Sequence, residues 1–354
     1  MFGDRLKLAR TAAGLSLRAL EEQLNGLVTA QAIGKYERDE MMPSSDVLMA
    51  LADALGVPES YLLSSGDIEL QDVEFRKLKG ASAKEKASVT AQVVKHAERY
   101  LEVEDALAAT STDWKLPPNF PRPIRSLDQA ESAAEALRLA WQLGKDPIPG
   151  LAEYLEERGV KVLALDLAES ISGMTAKIQR SAGRFIPMIV INANHAGERQ
   201  RFTLAHELGH LLLSAGEGID IERACDRFAG ALLVPAAMLY AEVGQKRHAI
   251  SPGELLKLKR LFLASVQCIV YRLKDLAIIT PTLYGQLFTL FGRLGWRKKE
   301  PDPLPKEETH RFQRLCFRAL AERVLSESKT AELLDVTVRR LNQMLDAEAN
   351  QGFR

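Results

Sequence analysis

The stretch Phe202-Thr203-Leu204-Ala205-His206-Glu207-Leu208-Gly209-His210-Leu211-Leu212 holds the residue types best suited to chemistry. On a helix, His206 and His210 stand one turn apart on one face, where two imidazoles can grip one metal ion, with Glu207 beside them. Zinc hydrolases use such a pattern. A catalytic zinc takes three protein groups and keeps a fourth position for water, so a third ligand must come from elsewhere. Residues 221–235 read as a helix ended by Pro235, with Glu222 and Asp226 one turn apart on one face. Glu222 is the preferred third ligand, and Asp226 is placed to accept the free ring N–H of a ligand histidine and so fix its tautomer. Glu217 and Asp220, in the loop ahead of that helix, are the rivals; His195 and His248 stand alone and read as surface or structural residues. The plain alternative is a buried helix carrying two polar residues.

The elements around this pair must hold it in place. Residues 130–143 and 150–158 read as helices, 160–165 as a strand, 170–180 as a further strand, and 185–192 as the clearest apolar strand of the chain. Pro187 near the start of the last one favours a sheet edge, where an extended peptide can add as a further strand. Together, Arg199-Gln200-Arg201-Phe202-Thr203-Leu204-Ala205-His206-Glu207-Leu208-Gly209-His210, Glu222, Asp226-Arg227-Phe228-Ala229 and Leu232-Leu233-Val234-Pro235 resemble the ImmA/IrrE family of zinc metallopeptidases over about residues 130–245. That resemblance implies a compact peptidase of the gluzincin type whose relatives cleave helix-turn-helix repressors. It implies His206, His210 and Glu222 as zinc ligands, Glu207 as general base and Asp226 as the residue behind a ligand histidine.

At the amino terminus, two short helices lead through Asn25-Gly26 to Thr29, a good N-cap for a third helix over residues 30–38. A fourth amphipathic helix follows Pro43-Ser44-Ser45 and stops at Gly56. Leu15-Ser16-Leu17-Arg18-Ala19-Leu20, Ala32-Ile33-Gly34-Lys35-Tyr36-Glu37-Arg38, Pro43 and Leu51-Ala52-Asp53-Ala54-Leu55-Gly56-Val57 resemble the XRE or Cro/C1-type helix-turn-helix family across residues 3–64. In that family the helix after the turn enters the major groove, which implies Thr29, Ala30, Gln31, Lys35 and Arg38 as the DNA-contacting residues, with Gln31 suited to adenine. The turn is about two residues longer than usual, and Asp39 stands where glycine often ends the helix. Residues 1–64 hold six bases against nine acids, so DNA binding requires the bases to cluster on one face; a protein-docking module is the alternative.

Between the two lies a connector. Residues 67–78 read as short extended segments, and Ser82-Ala83-Lys84-Glu85 as a capping box opening a helix to about Leu107. Its stripe of Val89, Val93, Ala97, Tyr100 and Leu101 must pack on the next domain or on a second copy, a possible homodimer seam. A proline-rich boundary follows at residues 115–123. Beyond 245 come paired helices, a basic stretch over residues 257–299 with nine bases and one acid, a linker at 300–309, and a second, weaker helix-turn-helix pattern at 327–341, with an oligomerisation or docking element as its alternative.

The whole reads as a multidomain, mainly α chain. An all-α helix-turn-helix domain at 1–65 and a helical connector at 66–125 precede an α+β gluzincin-like metallopeptidase domain with a small sheet at 126–245 and a helical region at 246–354. Ordinary composition, equal numbers of bases and acids (47 each), no long apolar run and three scattered cysteines point to a cytoplasmic protein without disulfides or membrane spans. The function this implies is a DNA-binding transcription regulator whose zinc endopeptidase hydrolyses a repressor-type protein, in trans or in cis. A non-proteolytic regulator, with the metal domain as a sensor or structural unit, is the alternative.

Overall fold

The protein is described from a computed structural model, which covers residues 2–57, 59–63, 69–77, 83–108, 114–179 and 185–351. Helices α1 (Phe2–Ala12), α2 (Leu17–Gln23), α3 (Ala30–Tyr36), α4 (Ser45–Leu55) and α5 (Glu59–Leu63) form the amino-terminal unit. Ser16, Thr29 and Ser44 cap α2, α3 and α4, each accepting the backbone N–H three residues on. Each cap contributes about 1 kcal/mol. Leu6, Leu20, Ile33, Leu51 and Leu62 are fully buried between the helices. Asp39 takes the left-handed conformation at φ 53°, and its Oδ1 accepts the Gly3 N–H at 2.7 Å. A side chain at residue 3 would meet the carbonyl oxygens of Tyr36 and Glu37 at 2.6 Å, so glycine lets α1 close on the end of α3.

Strand β1 (Glu69–Lys77) and helix α6 (Ala83–Ala106) follow. The expected capping residue Ser82 lies outside the described residues. The stripe on α6 does not wait for a second copy: Val89, Val93, Ala97 and Leu101 pack on a sheet of the same chain, and Tyr100 and Val103 pack on its carboxy-terminal helices. The surface expected as a dimer seam is therefore filled from within. At the other side of α6, Ser88 Oγ donates to the Ala12 carbonyl at 3.1 Å, and Arg5 pairs with Glu98, which fastens α1 to it.

The central region runs β2 (Arg122–Ile124), α7 (Leu127–Ala140), α8 (Leu151–Glu156), β3 (Lys161–Leu165), β4 (Ile171–Gln179), β5 (Phe185–Asn192), α9 (Gly197–Leu212), β6 (Leu213–Ala215), α10 (Ile221–Leu233) and α11 (Ala236–Val243). The main sheet has the order β1-β4-β5-β3, antiparallel except for the β3–β5 pair; β2 and β6 form a small parallel pair. This corrects the edge expected at residues 185–192, since β5 is paired on both sides. Pro187 is tolerated there because the β3 ladder begins only at Met188. The edge beside α9 belongs instead to β4, and β1 from the connector covers it.

Next come α12 (Pro252–Phe262), α13 (Val266–Asp275), α14 (Pro281–Leu294), α15 (Arg311–Ala321), α16 (Glu327–Leu334) and α17 (Val338–Gln351). The core that buries Ile189, Ile191, Leu204 and Leu208 runs on through Phe262, Ile269 and Phe291. Residues 300–309 are irregular, as three prolines require, but they do not form a linker. Glu307 pairs with Arg201 and accepts the Ala152 N–H at 2.7 Å, while Glu300 and Glu198 enclose Lys259 Nζ at 3.1 and 2.7 Å. The segment is a strap laid over the amino-terminal half of α9, and Gly197 has no Cβ to obstruct the Pro305 carbonyl that lies against it. Among the described residues, no single helix is long and apolar enough to cross a membrane.

Glu156, at the end of α8, is 1% exposed, and burial pushes its carboxyl up to about 7 against the pull of the Arg311 N–H and the nearby guanidinium groups. The fold therefore favours the protonated form. Its contribution to stability is complete below pH 4.5 and is lost as pH rises through about 7. Urea unfolding at pH 5 and pH 8 checks this: the Glu156→Gln variant should show a smaller loss of stability across that interval than the native chain.

Candidate metal centre and nucleic-acid interface

Helix α9 buries Leu204, Ala205, Leu208 and Leu212 in the core, which leaves its other side to β4 and α10. The side chains of His206, Glu207 and His210 lie on that flank, and all three are nearly inaccessible. His206 Nε2 and His210 Nε2 are 3.1 Å apart, and the Glu222 carboxylate on α10 stands 3.5 Å from each. Three ligands at about 2.0–2.2 Å around a tetrahedral ion are separated by about 3.3–3.6 Å, so the donor set fits a divalent metal with little movement. Asp226 Oδ1 lies 2.8 Å from His206 Nδ1. That contact places the neutral ring's proton on Nδ1 and turns the Nε2 lone pair toward the shared centre. Asp220, one of the rival ligands, is engaged as the N-cap of α10, accepting from the backbone N–H groups of Glu222 and Arg223.

Two glycines set these distances. A Cβ at Gly209 would meet Cys225 Sγ, Cβ and Cα at 3.0, 3.2 and 3.3 Å, so the bare backbone lets α9 and α10 lie close enough for Glu222 to reach both imidazoles. On the other flank, a Cβ at Gly173 would meet Thr203 Cγ2 at 2.5 Å and the Val190 carbonyl at 2.7 Å, so β4 also closes on the helix. Thr175 then donates to Glu207 Oε2 at 2.7 Å and lies 3.2 Å from the Glu207 carbonyl. Neither Gly173 nor Thr175 was legible as a site residue in the sequence, because only the strand's pairing brings them to α9. Beside Asp226, a cavity of about 380 Å³ opens between Phe202, Arg223, Gly230 and Tyr271.

In the amino-terminal unit, α3 presents Thr29, Gln31 and Lys35 to solvent, while Ile33 and Tyr36 anchor it. Thr29 is the N-cap, its Oγ1 accepting the Ala32 N–H at 3.2 Å, and Ala30 is half-buried. Arg38 lies beyond the helix, exposed, with its guanidinium bound to the Glu40 carboxylate at 2.6 and 3.0 Å. Asn25 and Gly26 both take positive φ, which accommodates the long turn.

Residues 6–62 match the family model described as helix-turn-helix, and residues 155–274 match that of the IrrE N-terminal-like domain. The chain joins an XRE-type DNA-binding domain to an ImmA/IrrE-type peptidase domain. No curated protein and no solved structure matches it. The IrrE-type match begins in α8 and ends in α13, so it takes in the whole His206, His210 and Glu222 cluster.

The Gly209 contact makes a direct prediction. Gly209→Ala should leave a folded chain, destabilised by about 1–3 kcal/mol through overpacking, in which α10 is displaced and divalent metal binds at least about 10-fold more weakly. Competition against a chelating dye measures the affinity and thermal melting the stability. A lower melting temperature with unchanged metal affinity would sink the idea.

Proposed function

We propose that the chain is a transcription regulator whose zinc-dependent endopeptidase domain cuts a repressor-type protein, a partner or the chain itself. The observation that carries it is the convergence of His206, His210 and Glu222 next to Glu207, in a chain that also bears a DNA-binding domain. Two imidazoles and one carboxylate are a donor set zinc accepts, with a position left over. When bound there, zinc supplies Lewis-acid polarisation of a carbonyl and makes water more acidic.

The chain's own residues do the rest. Glu207, oriented by Thr175, takes a proton from the attacking water and passes it to the amine nitrogen that leaves. Asp226 keeps His206 in the ligating tautomer and balances the charge on the ring. The cavity between Phe202 and Tyr271 offers apolar and aromatic surface to a substrate side chain near the site. Gln31 and Lys35, exposed on α3, are suited to base and phosphate contact, with Arg38 just past the helix beside Glu40.

A second reading, a non-proteolytic regulator whose metal domain is structural or sensory, is favoured by one observation. Strand β1 pairs with β4 opposite Gly173 and Thr175, the residues nearest Glu207, so the edge where an extended peptide would add is covered by the connector. One comparison separates the two. Native protein and Glu207→Gln are each loaded with zinc and incubated with helix-turn-helix repressors encoded nearby, and fragments are identified by mass spectrometry. The peptidase reading expects about one zinc per chain in both proteins and fragments from the native protein alone. Equal regulation in cells by both, with loss only in His206→Ala, would give the second reading the case.

A further inference from the structure

The three carboxy-terminal helices repeat the construction of the amino-terminal reader. Ser326 caps α16 by accepting the Lys329 N–H at 3.2 Å, as Ser16 caps α2. Thr337 caps α17 by accepting the Arg340 N–H at 3.2 Å, as Thr29 caps α3 at the same distance. Four residues past each threonine stands a fully buried aliphatic residue, Leu341 in one unit and Ile33 in the other. Between α16 and α17 lie only Asp335, Val336 and Thr337, and Asp335 takes the left-handed conformation at φ 59° that a sharp turn between two helices needs. The break between α2 and α3 is longer, so the carboxy-terminal pair is the more compact helix-turn-helix of the two.

What α17 shows to solvent is suited to a duplex. Arg339, Arg340, Asn342 and Gln343 are exposed, and from Val336 to Leu345 the chain carries two bases and no acid. A guanidinium reads guanine through O6 and N7, a carboxamide reads adenine through N6 and N7, and a second guanidinium meets phosphate. The unit is also held firmly. Leu315, Cys316, Ala319 and Leu333 pack on Tyr100 and Val103 of α6, Tyr100 stacks on Phe312 at 5.3 Å, and the Asp335 carboxylate in the turn is gripped by Arg99 at 3.1 Å.

The geometry points to a second DNA-reading module in residues 326–346, with the major groove of duplex DNA as its ligand, so that one chain contacts two segments of DNA. This goes beyond the single reader of the proposed function and does not depend on the peptidase. A protein surface would be matched by exposed apolar anchors. Among the described residues of α17 only Val338 of the large apolar ones is exposed, at 37%, and the first two turns present Arg339, Arg340, Asn342 and Gln343, with the acidic Asp346 exposed one turn further on.

The test is selection from random duplex DNA followed by footprinting, using three full-length proteins: native, Gln31→Ala/Lys35→Ala, and Arg339→Ala/Asn342→Ala. All substituted positions are exposed, so zinc content and melting temperature should be unchanged. The expected result is two protected segments with the native protein. Each variant should lose one segment and keep the other, with an affinity loss of about 10-fold or more per lost base contact. Arg340→Ala should reduce the slope of log affinity against log salt by about 1. If the Arg339→Ala/Asn342→Ala protein selects the same sequence with the same footprint and an affinity within about twofold, the inference is overturned while the amino-terminal reader stands. If that variant loses all binding and Gln31→Ala/Lys35→Ala loses none, the inference stands and the amino-terminal reader falls. Native protein that selects no sequence overturns both.

Discussion

Residue 209 has no side chain, and the convergence of His206, His210 and Glu222 depends on it. The backbone of α9 comes so near Cys225 on α10 that a Cβ would press on its Sγ, Cβ and Cα at 3.0–3.3 Å and force the helices slightly apart. Because Glu222 and Asp226 flank Cys225 on the same helix, one close approach delivers two carboxylates: one to the shared centre of the two Nε2 atoms, the other to the far nitrogen of His206. Gly173 performs the corresponding service for β4, through which Thr175 reaches Glu207. The half of α9 that carries His206, Glu207 and His210 is thus clamped between a helix and a strand by two positions whose contribution is empty space.

The other half of α9 is held by charge. Glu198 and Arg201 are buried and paired with Lys259 and Glu307, and Arg272 reaches across to Glu131 on α7. Burying such ions costs several kcal/mol each, recovered only where the geometry is close and the remaining hydrogen bonds are made. These pairs are fully engaged: Glu300 also accepts the Val266 N–H at 2.9 Å, and Glu307 donates its own N–H to Gln200 Oε1 at 2.9 Å. Their value lies in orientation. They fix the axis and rotation of α9, which carries the histidines one and two turns further along.

The parts of this arrangement that were legible in sequence are those written in helical period. His206 and His210 fall four apart, Glu222 and Asp226 fall four apart, and Thr29 precedes an apolar repeat; each pattern is complete within about ten residues. What the sequence hid depends on partners far away. Arg201 meets Glu307 across 106 residues, and the segment around Glu307 looked like a linker because three prolines forbid regular structure. Irregular backbone can still be packed. Pro187 misled for a related reason: its missing N–H argues for an edge only if a neighbouring ladder extends that far, and the β3 ladder starts one residue later. The pairing of β1 with β4 crosses about a hundred residues and carries no local signal at all.

Helix α6 is engaged on three sides. It bonds to α1 through Ser88 and Glu98, lies on the main sheet through Val89, Val93 and Ala97, and carries α15 and α16 through Tyr100, Val103 and Glu102. At about 1.5 Å of rise per residue, all of these attachments fall within some 25 Å of one rigid rod. Turning that rod about its own axis would disturb every attachment together, so no one unit can shift on it independently. The segment that joins the units in sequence is therefore also the one against which each of them packs.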